Sequence, residues 1–113
     1  GGREITVPAT TLDMWWQQAG KPHISVIKMD TEGAELFILQ GGREFLSEIK
    51  PILYLEIEPT NLVIYPYTAK DIIQFLTTVG YRVSTLGGTH VTEENIDELT
   101  KCFDTYKASP LSL

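Results

Sequence analysis

Between Ile24 and Met29 the chain is dominated by apolar residues, then breaks abruptly into acidic and small ones, with an amphipathic stretch directly behind. A buried parallel strand that ends at a helix start has this pattern. Leu36, Ile38 and Leu39 give the helix from about Thr31 its apolar face; Gly41 and Gly42 interrupt it, and Phe45, Leu46 and Ile49 restore it. The glycine pair sits inside a helical pattern and not behind a strand, so it predicts a kink or a close packing contact. Lys50 ends the helix, because Pro51 disfavours helical geometry in the residue before it. Ile52 to Ile57 is a second strong strand.

The same reading extends to both sides. Glu4 to Pro8 is a short extended segment, and Thr11 caps a helix from Leu12 to Ala19 with Gly20 just past its end. Trp15 and Trp16 point about 100° apart on that helix, so at most one of them is fully buried. Thr68 to Asp71 has the form of a capping box. Ile72, Phe75, Leu76 and Val79 then follow at i, i+3, i+4 and i+7, the clearest helical stripe in the sequence. Gly80 closes it. Tyr81 to Leu86 is a strand, Gly87 and Gly88 turn the chain, and Thr92 opens a short acidic helix to Leu99. Cys102 to Ala108 is the last strand. Alternation of this kind predicts an α/β domain with a mainly parallel sheet, helices on both faces, and the last two strands paired antiparallel at one edge.

Length and composition narrow the function classes. With 113 residues, 42% of them hydrophobic and 21% charged, the chain is one folded domain. Its net charge of −6 argues against a general nucleic-acid binder, which needs clustered Lys and Arg. No apolar run approaches the length of a membrane span. The one cysteine, Cys102, excludes an internal disulfide and reads as a small buried hydrophobe, which suits the reducing cytoplasm. The chain opens on Gly1, Gly2 and Arg3 without a Met, and reads as part of a longer protein.

Two strand ends carry the candidate chemistry. Lys28, Asp30, Glu32 and Glu35 crowd into eight positions at the first, and Glu56 and Glu58 stand at the second. Ligands of open α/β sheets bind at the carboxyl ends of the strands. There Asp30 or Glu56 can orient a hydroxyl or act as a base. Asp30 is the residue for which function outweighs scaffold. Glu35, in the first helical turn, is explained by the helix dipole, worth about 0.3–1 kcal/mol. A buried ion pair with Asp30 or Glu56 is sufficient to explain Lys28. His23 and His90 have no paired metal-ligand spacing, and no Gly-x-Ser-x-Gly elbow is present. Tyr65, Pro66 and Tyr67 read either as an acceptor-pocket wall or as ordinary surface packing.

Several blocks resemble the FkbM family of S-adenosylmethionine-dependent methyltransferases. They are Thr11-Leu12-Asp13; the Lys-x-Asp-x-Glu-Gly-x-Glu run from Lys28 to Glu35; Leu39-Gln40-Gly41; and the Pro51 to Glu56 strand. Gly80-Tyr81 entering the next strand also matches. Gly42 stands where the family usually has Ala, and Gln40 where Lys is common. The resemblance implies a class I, Rossmann-like methyltransferase fold whose sheet ends in an antiparallel strand pair. It further implies methyl transfer, commonly to a hydroxyl oxygen of a small molecule or glycan, with Asp30, Glu32 and Glu56 at the methyl-transfer crevice.

In that fold the cofactor is held by a glycine-rich loop after the first strand and an acidic residue ending the second, and neither motif occurs here. Residues 1–113 are therefore expected to form the carboxyl-terminal part of such a domain, with weak or no affinity for S-adenosylmethionine by themselves. Two other readings stay open. One is a non-catalytic α/β interaction module that lacks the cofactor site; the other is a carboxylate-metal hydrolase using Asp30, Glu32 and Glu58.

Overall fold

The structure, a computed structural model, describes residues 11–29, 34–58, 62, 64–99, 101 and 104–111. Its elements in chain order are α1 (Leu12–Gln18), β1 (Val26–Met29), α2 (Glu35–Gln40), α3 (Arg43–Ile49), β2 (Ile52–Ile57), α4 (Ala69–Thr78), β3 (Tyr81–Thr85), α5 (Ile96–Leu99) and β4 (Asp104–Pro110). The α/β alternation is as expected. The extended segment expected at Glu4 to Pro8, and Cys102, lie outside the described residues.

The four strands form one mixed sheet in the order β1-β2-β4-β3. β1 and β2 pair in parallel, Ile27 beside Leu53 and Met29 beside Leu55. β4 runs antiparallel to both β2 and β3. The last two strands thus pair antiparallel, as expected. Within that pair the final strand lies inside the sheet, between β2 and β3, and β3 takes the edge. Three strands still point the same way, with β4 alone reversed.

Side-chain alternation fixes which face is buried. Ile27, Met29, Leu53, Leu55, Ile57, Val83, Tyr106 and Ala108 are all buried, and the strand register puts them on one face. Trp16, Leu39, Phe45, Ile72, Leu76 and Ile96 from the helices join the same core. The opposite face carries Val26, Lys28, Ile52, Tyr54, Glu56, Arg82 and Lys107, which are half-buried or exposed. Helices covering both faces were expected; among the described residues the core fills one side only. Period-two burial in place of a wholly apolar strand is the physical reason.

Local chemistry accounts for the helix ends. Thr11 Oγ1 accepts the Met14 N–H at 3.1 Å and so caps α1. Trp16 is buried and Trp15 half-buried. Thr68 and Asp71 form the expected capping box on α4. Lys50 ends α3 in the left-handed region at φ 53°, where Pro51 forbids another helical residue.

The glycine pair splits the expected helix into α2 and α3 by a packing contact. A Cβ on Gly42 would stand 2.5 Å from Leu12 Cδ2, and one on Gly41 would stand 3.1 Å from Thr11 Cβ. Both glycines have negative φ, so space and not backbone freedom requires them.

Candidate active site at the carboxyl ends of β1 and β2

Because β1 and β2 are parallel neighbours, their carboxyl ends open in the same direction. That is the edge at which α/β sheets present binding residues. Asp30 and Glu32, the leading candidates from sequence, lie outside the described residues. Glu56 stands in β2 on the open sheet face, with Lys28 Nζ 3.8 Å from its Oε1. The partner expected for Lys28 is therefore present. The pair is not buried, however, since the two side chains are 60% and 24% exposed. Exposed cross-strand pairs of this kind contribute about 0–1 kcal/mol.

Glu35 sits in the first turn of α2, as expected, and only 1% of its surface is accessible. Tyr67, from the chain between β2 and α4, lies next to it. Burial pushes the Tyr67 hydroxyl above its ordinary value; nearby Glu35 and Tyr65 add to this, and backbone hydrogen bonds from Leu36 and Phe37 oppose it. The Phe37 ring stands perpendicular to Tyr67 at 5.2 Å and edge-on to Tyr65 at 5.8 Å. Tyr65 and Tyr67 are 5.5 Å apart. Tyr67 is buried, whereas Phe37 and Ile64 expose much of their surface. The sequence flagged Tyr65 and Tyr67 but gave no sign of Phe37 or of the link to Glu35.

The remaining candidates are apart from this edge. His23 and His90 are both exposed, with His23 Nε2 at 3.5 Å from Ser25 Oγ and His90 bridging Ser84 across the turn after β3. Among the described residues no three His, Cys, Asp or Glu side chains converge. Among the described residues no helix is long and apolar enough to cross a membrane.

Residues 1–83 match the family model described as the methyltransferase FkbM domain. The chain belongs to the FkbM methyltransferase family. No curated protein and no solved structure matches it. Two of the blocks that resemble FkbM sequences interlock as scaffold. The Asp13 N–H donates to Gly41 O at 2.8 Å, and the Asp13 carboxylate accepts the N–H groups of Glu44 and Phe45 at 3.1 and 2.8 Å. In a third block, Pro51 O accepts the buried Tyr81 hydroxyl. In this FkbM chain, then, the Thr-Leu-Asp block and the Leu-x-Gly block hold α1 against the α2–α3 junction.

Proposed function

We propose that the natural gene product carrying these residues transfers a methyl group from S-adenosylmethionine to a hydroxyl oxygen of a small molecule or glycan, in the cytoplasm. The FkbM match over residues 1–83 carries the reading. The antiparallel pairing of β3 with β4 supports the class I architecture that the resemblance implies.

Asp30 and Glu32, which follow β1 in sequence, and Glu56, near the carboxyl end of the parallel neighbour β2, are the proposed site residues. Their task is to hold the acceptor hydroxyl in line with the methyl group and to take its proton. Lys28 restrains the Glu56 carboxylate from the adjacent strand.

S-adenosylmethionine supplies the methyl group, and none of the described residues is assigned to holding it. Among them no glycine-rich turn leads from a strand into a helix. Gly87 and Gly88 turn the chain back onto β3, where the Thr85 N–H donates to Thr89 O at 2.9 Å. In this proposal residues 1–113 form part of a methyltransferase domain, and by themselves they bind S-adenosylmethionine weakly or not at all. Micromolar affinity in a calorimetric titration of this chain overturns that part.

The activity is tested by incubating the natural gene product with methyl-labelled S-adenosylmethionine and an extract of small molecules and glycans. Label in an ether linkage is expected, and Asp30→Asn lowers the rate by about a hundredfold or more. Absence of transfer favours the interaction-module reading.

A further inference from the structure

Phe37 breaks the pattern of its helix. Leu36 and Leu39 of α2 are buried, yet Phe37 leaves 51% of its surface exposed, where an amphipathic helix ordinarily carries a polar residue. The ring is nevertheless held. Its centroid lies 5.8 Å from that of Tyr65 and 5.2 Å from that of Tyr67, and these two lie 5.5 Å apart, so the three close a triangle. Ring pairs of this kind contribute about 0.5–1.5 kcal/mol each. Tyr67 is the buried base of the triangle. Tyr65 is half-buried, and Ile64 and Pro66 beside it in the chain are exposed. Rings packed for stability alone are buried together, as Trp16 and Phe45 are. The triad instead holds an aromatic surface in water.

Its position gives that surface a use. α2 follows β1, and residues 64–67 follow β2, so the triad joins the segments that leave two parallel neighbouring strands. Glu56 lies near the carboxyl end of the second of them, at the edge where such sheets bind ligands. We propose that Phe37 and Tyr65 form the acceptor platform of the methyltransferase, and that the group laid on it is a pyranose ring of a glycan. An apolar acceptor requires a pocket that encloses most of its surface, and a ring as open as Phe37 does not enclose. Nor do the rings offer a slot for a planar arene: Phe37 meets the tyrosines at 62° and 90°, and Tyr65 and Tyr67 already touch. A pyranose suits an open platform. Its C–H bonds, polarised by adjacent oxygens, are attracted to an aromatic surface, while the hydroxyls on its rim stay in water or turn to a strand-end carboxylate. The inference rests on the methyltransferase reading for its consequence in catalysis; sugar binding by the triad does not depend on it.

Nitrogen-labelled NMR of the full 113-residue chain tests the platform. The probes are the methyl pyranosides of glucose, galactose, mannose and fucose, each added to about 50 mM to cover weak binding, with phenol as the arene control. At least one pyranoside is expected to move the Phe37 and Tyr65 amides saturably and leave core amides such as Leu55 and Tyr106 in place. Phe37→Leu, which keeps apolar bulk without the ring, should abolish the shifts, and Phe37→Trp should retain them. No shift with any of the four pyranosides on the wild-type chain overturns the proposal, whatever phenol does. Equal shifts in Phe37→Leu remove Phe37 from the platform. The wild-type titration decides even if the variant does not fold.

In the natural gene product, the labelled methyl group is expected in an O-methyl sugar after acid hydrolysis of the extract. Phe37→Leu should slow transfer about tenfold at dilute extract and less than about twofold at saturating extract, with S-adenosylmethionine affinity kept within about twofold. Phe37→Trp should restore it. Label in a phenolic ether overturns the sugar, and equal transfer by Phe37→Leu and wild type at dilute extract overturns the platform. A wild-type product that transfers no methyl group sinks the functional reading instead, and the titration then decides the sugar site by itself.

Discussion

The carboxylate of Asp13 accepts the backbone N–H of Phe45 at 2.8 Å across thirty-two positions of sequence. Its second oxygen takes the Glu44 N–H. One side chain thereby serves two orphan amides at the start of α3 and ties α1 to it. Removing it leaves both amides without that acceptor. Asp13→Ala is expected to destabilise the chain by about 1–2 kcal/mol, and Asp13→Asn by less, because one acceptor oxygen remains. Urea denaturation of the three proteins gives the order; an Asp13→Ala midpoint equal to wild type would mean that the contact adds nothing to stability.

Crowding at the glycine pair makes a graded prediction. Gly42→Ala drives a methyl group to 2.5 Å from Leu12 Cδ2, whereas Gly41→Ala meets Thr11 at 3.1 Å. Gly42→Ala should cost about 1–3 kcal/mol, as overpacking does, and Gly41→Ala less. In Gly42→Ala combined with Leu12→Val part of the penalty should be relieved, since the shorter side chain makes room. If the double variant is no better than the sum of the singles, the clash with Leu12 is not the cause.

Left-handed backbone gives a pair of opposite signs. Lys50 occupies φ 53° without being glycine, so Lys50→Gly should raise stability by about 0.5–1 kcal/mol. Gly80 ends α4 at φ +88° with open space around it, and Gly80→Ala should lose about 1–2 kcal/mol from strain alone. Thermal unfolding of both variants tests the pair. A falling midpoint for Lys50→Gly would show that its side chain contributes more than its backbone loses.

Alkaline pH should unfold the chain. Burial pushes the hydroxyls of Tyr81 and Tyr106 above the ordinary tyrosine value, Tyr81 most strongly. In the unfolded chain these groups release their protons near pH 10, while the folded state retains them. Stability from this source is therefore complete below about pH 10 and declines as pH rises towards the folded values. Tyr81→Phe should flatten that decline, at the cost near neutrality of about 1 kcal/mol for the hydrogen bond to Pro51 O. Denaturation midpoints measured between about pH 8 and pH 11 give the slope; an unchanged slope in Tyr81→Phe removes Tyr81 as the source.

Features set by neighbours in sequence were legible before the structure was known. The stripe Ile72, Phe75, Leu76 became the buried side of α4, Thr68 and Asp71 formed their box, and Ile52 to Ile57 emerged with the expected bounds. Contacts between distant positions were not legible. Nothing at Tyr67 announces that its ring packs against Phe37 of α2, and nothing at Glu35 separates a buried first-turn carboxylate from an exposed one. The one-sided sheet did leave a trace. Leu53, Leu55 and Ile57 alternate with Tyr54, Glu56 and Glu58, a period of two that an apolar average conceals. At the site the sequence found the strand ends and the Lys28–Glu56 pair, but not the depth at which that pair lies.

The place of β4 inside the sheet also bears on the order in which the chain acquires its form during synthesis. Among the described residues β3 has no strand neighbour except β4, and the side of β2 away from β1 is likewise filled by β4. When Thr85 has just been added, β1 and β2 are the only two of these four strands that can pair, and Tyr81–Thr85 has none of the other three to join. The last of the four to leave the ribosome is the one that unites β3 with β2. Residues 84–113, beyond the span of the family match, thus supply the strand on which that union waits.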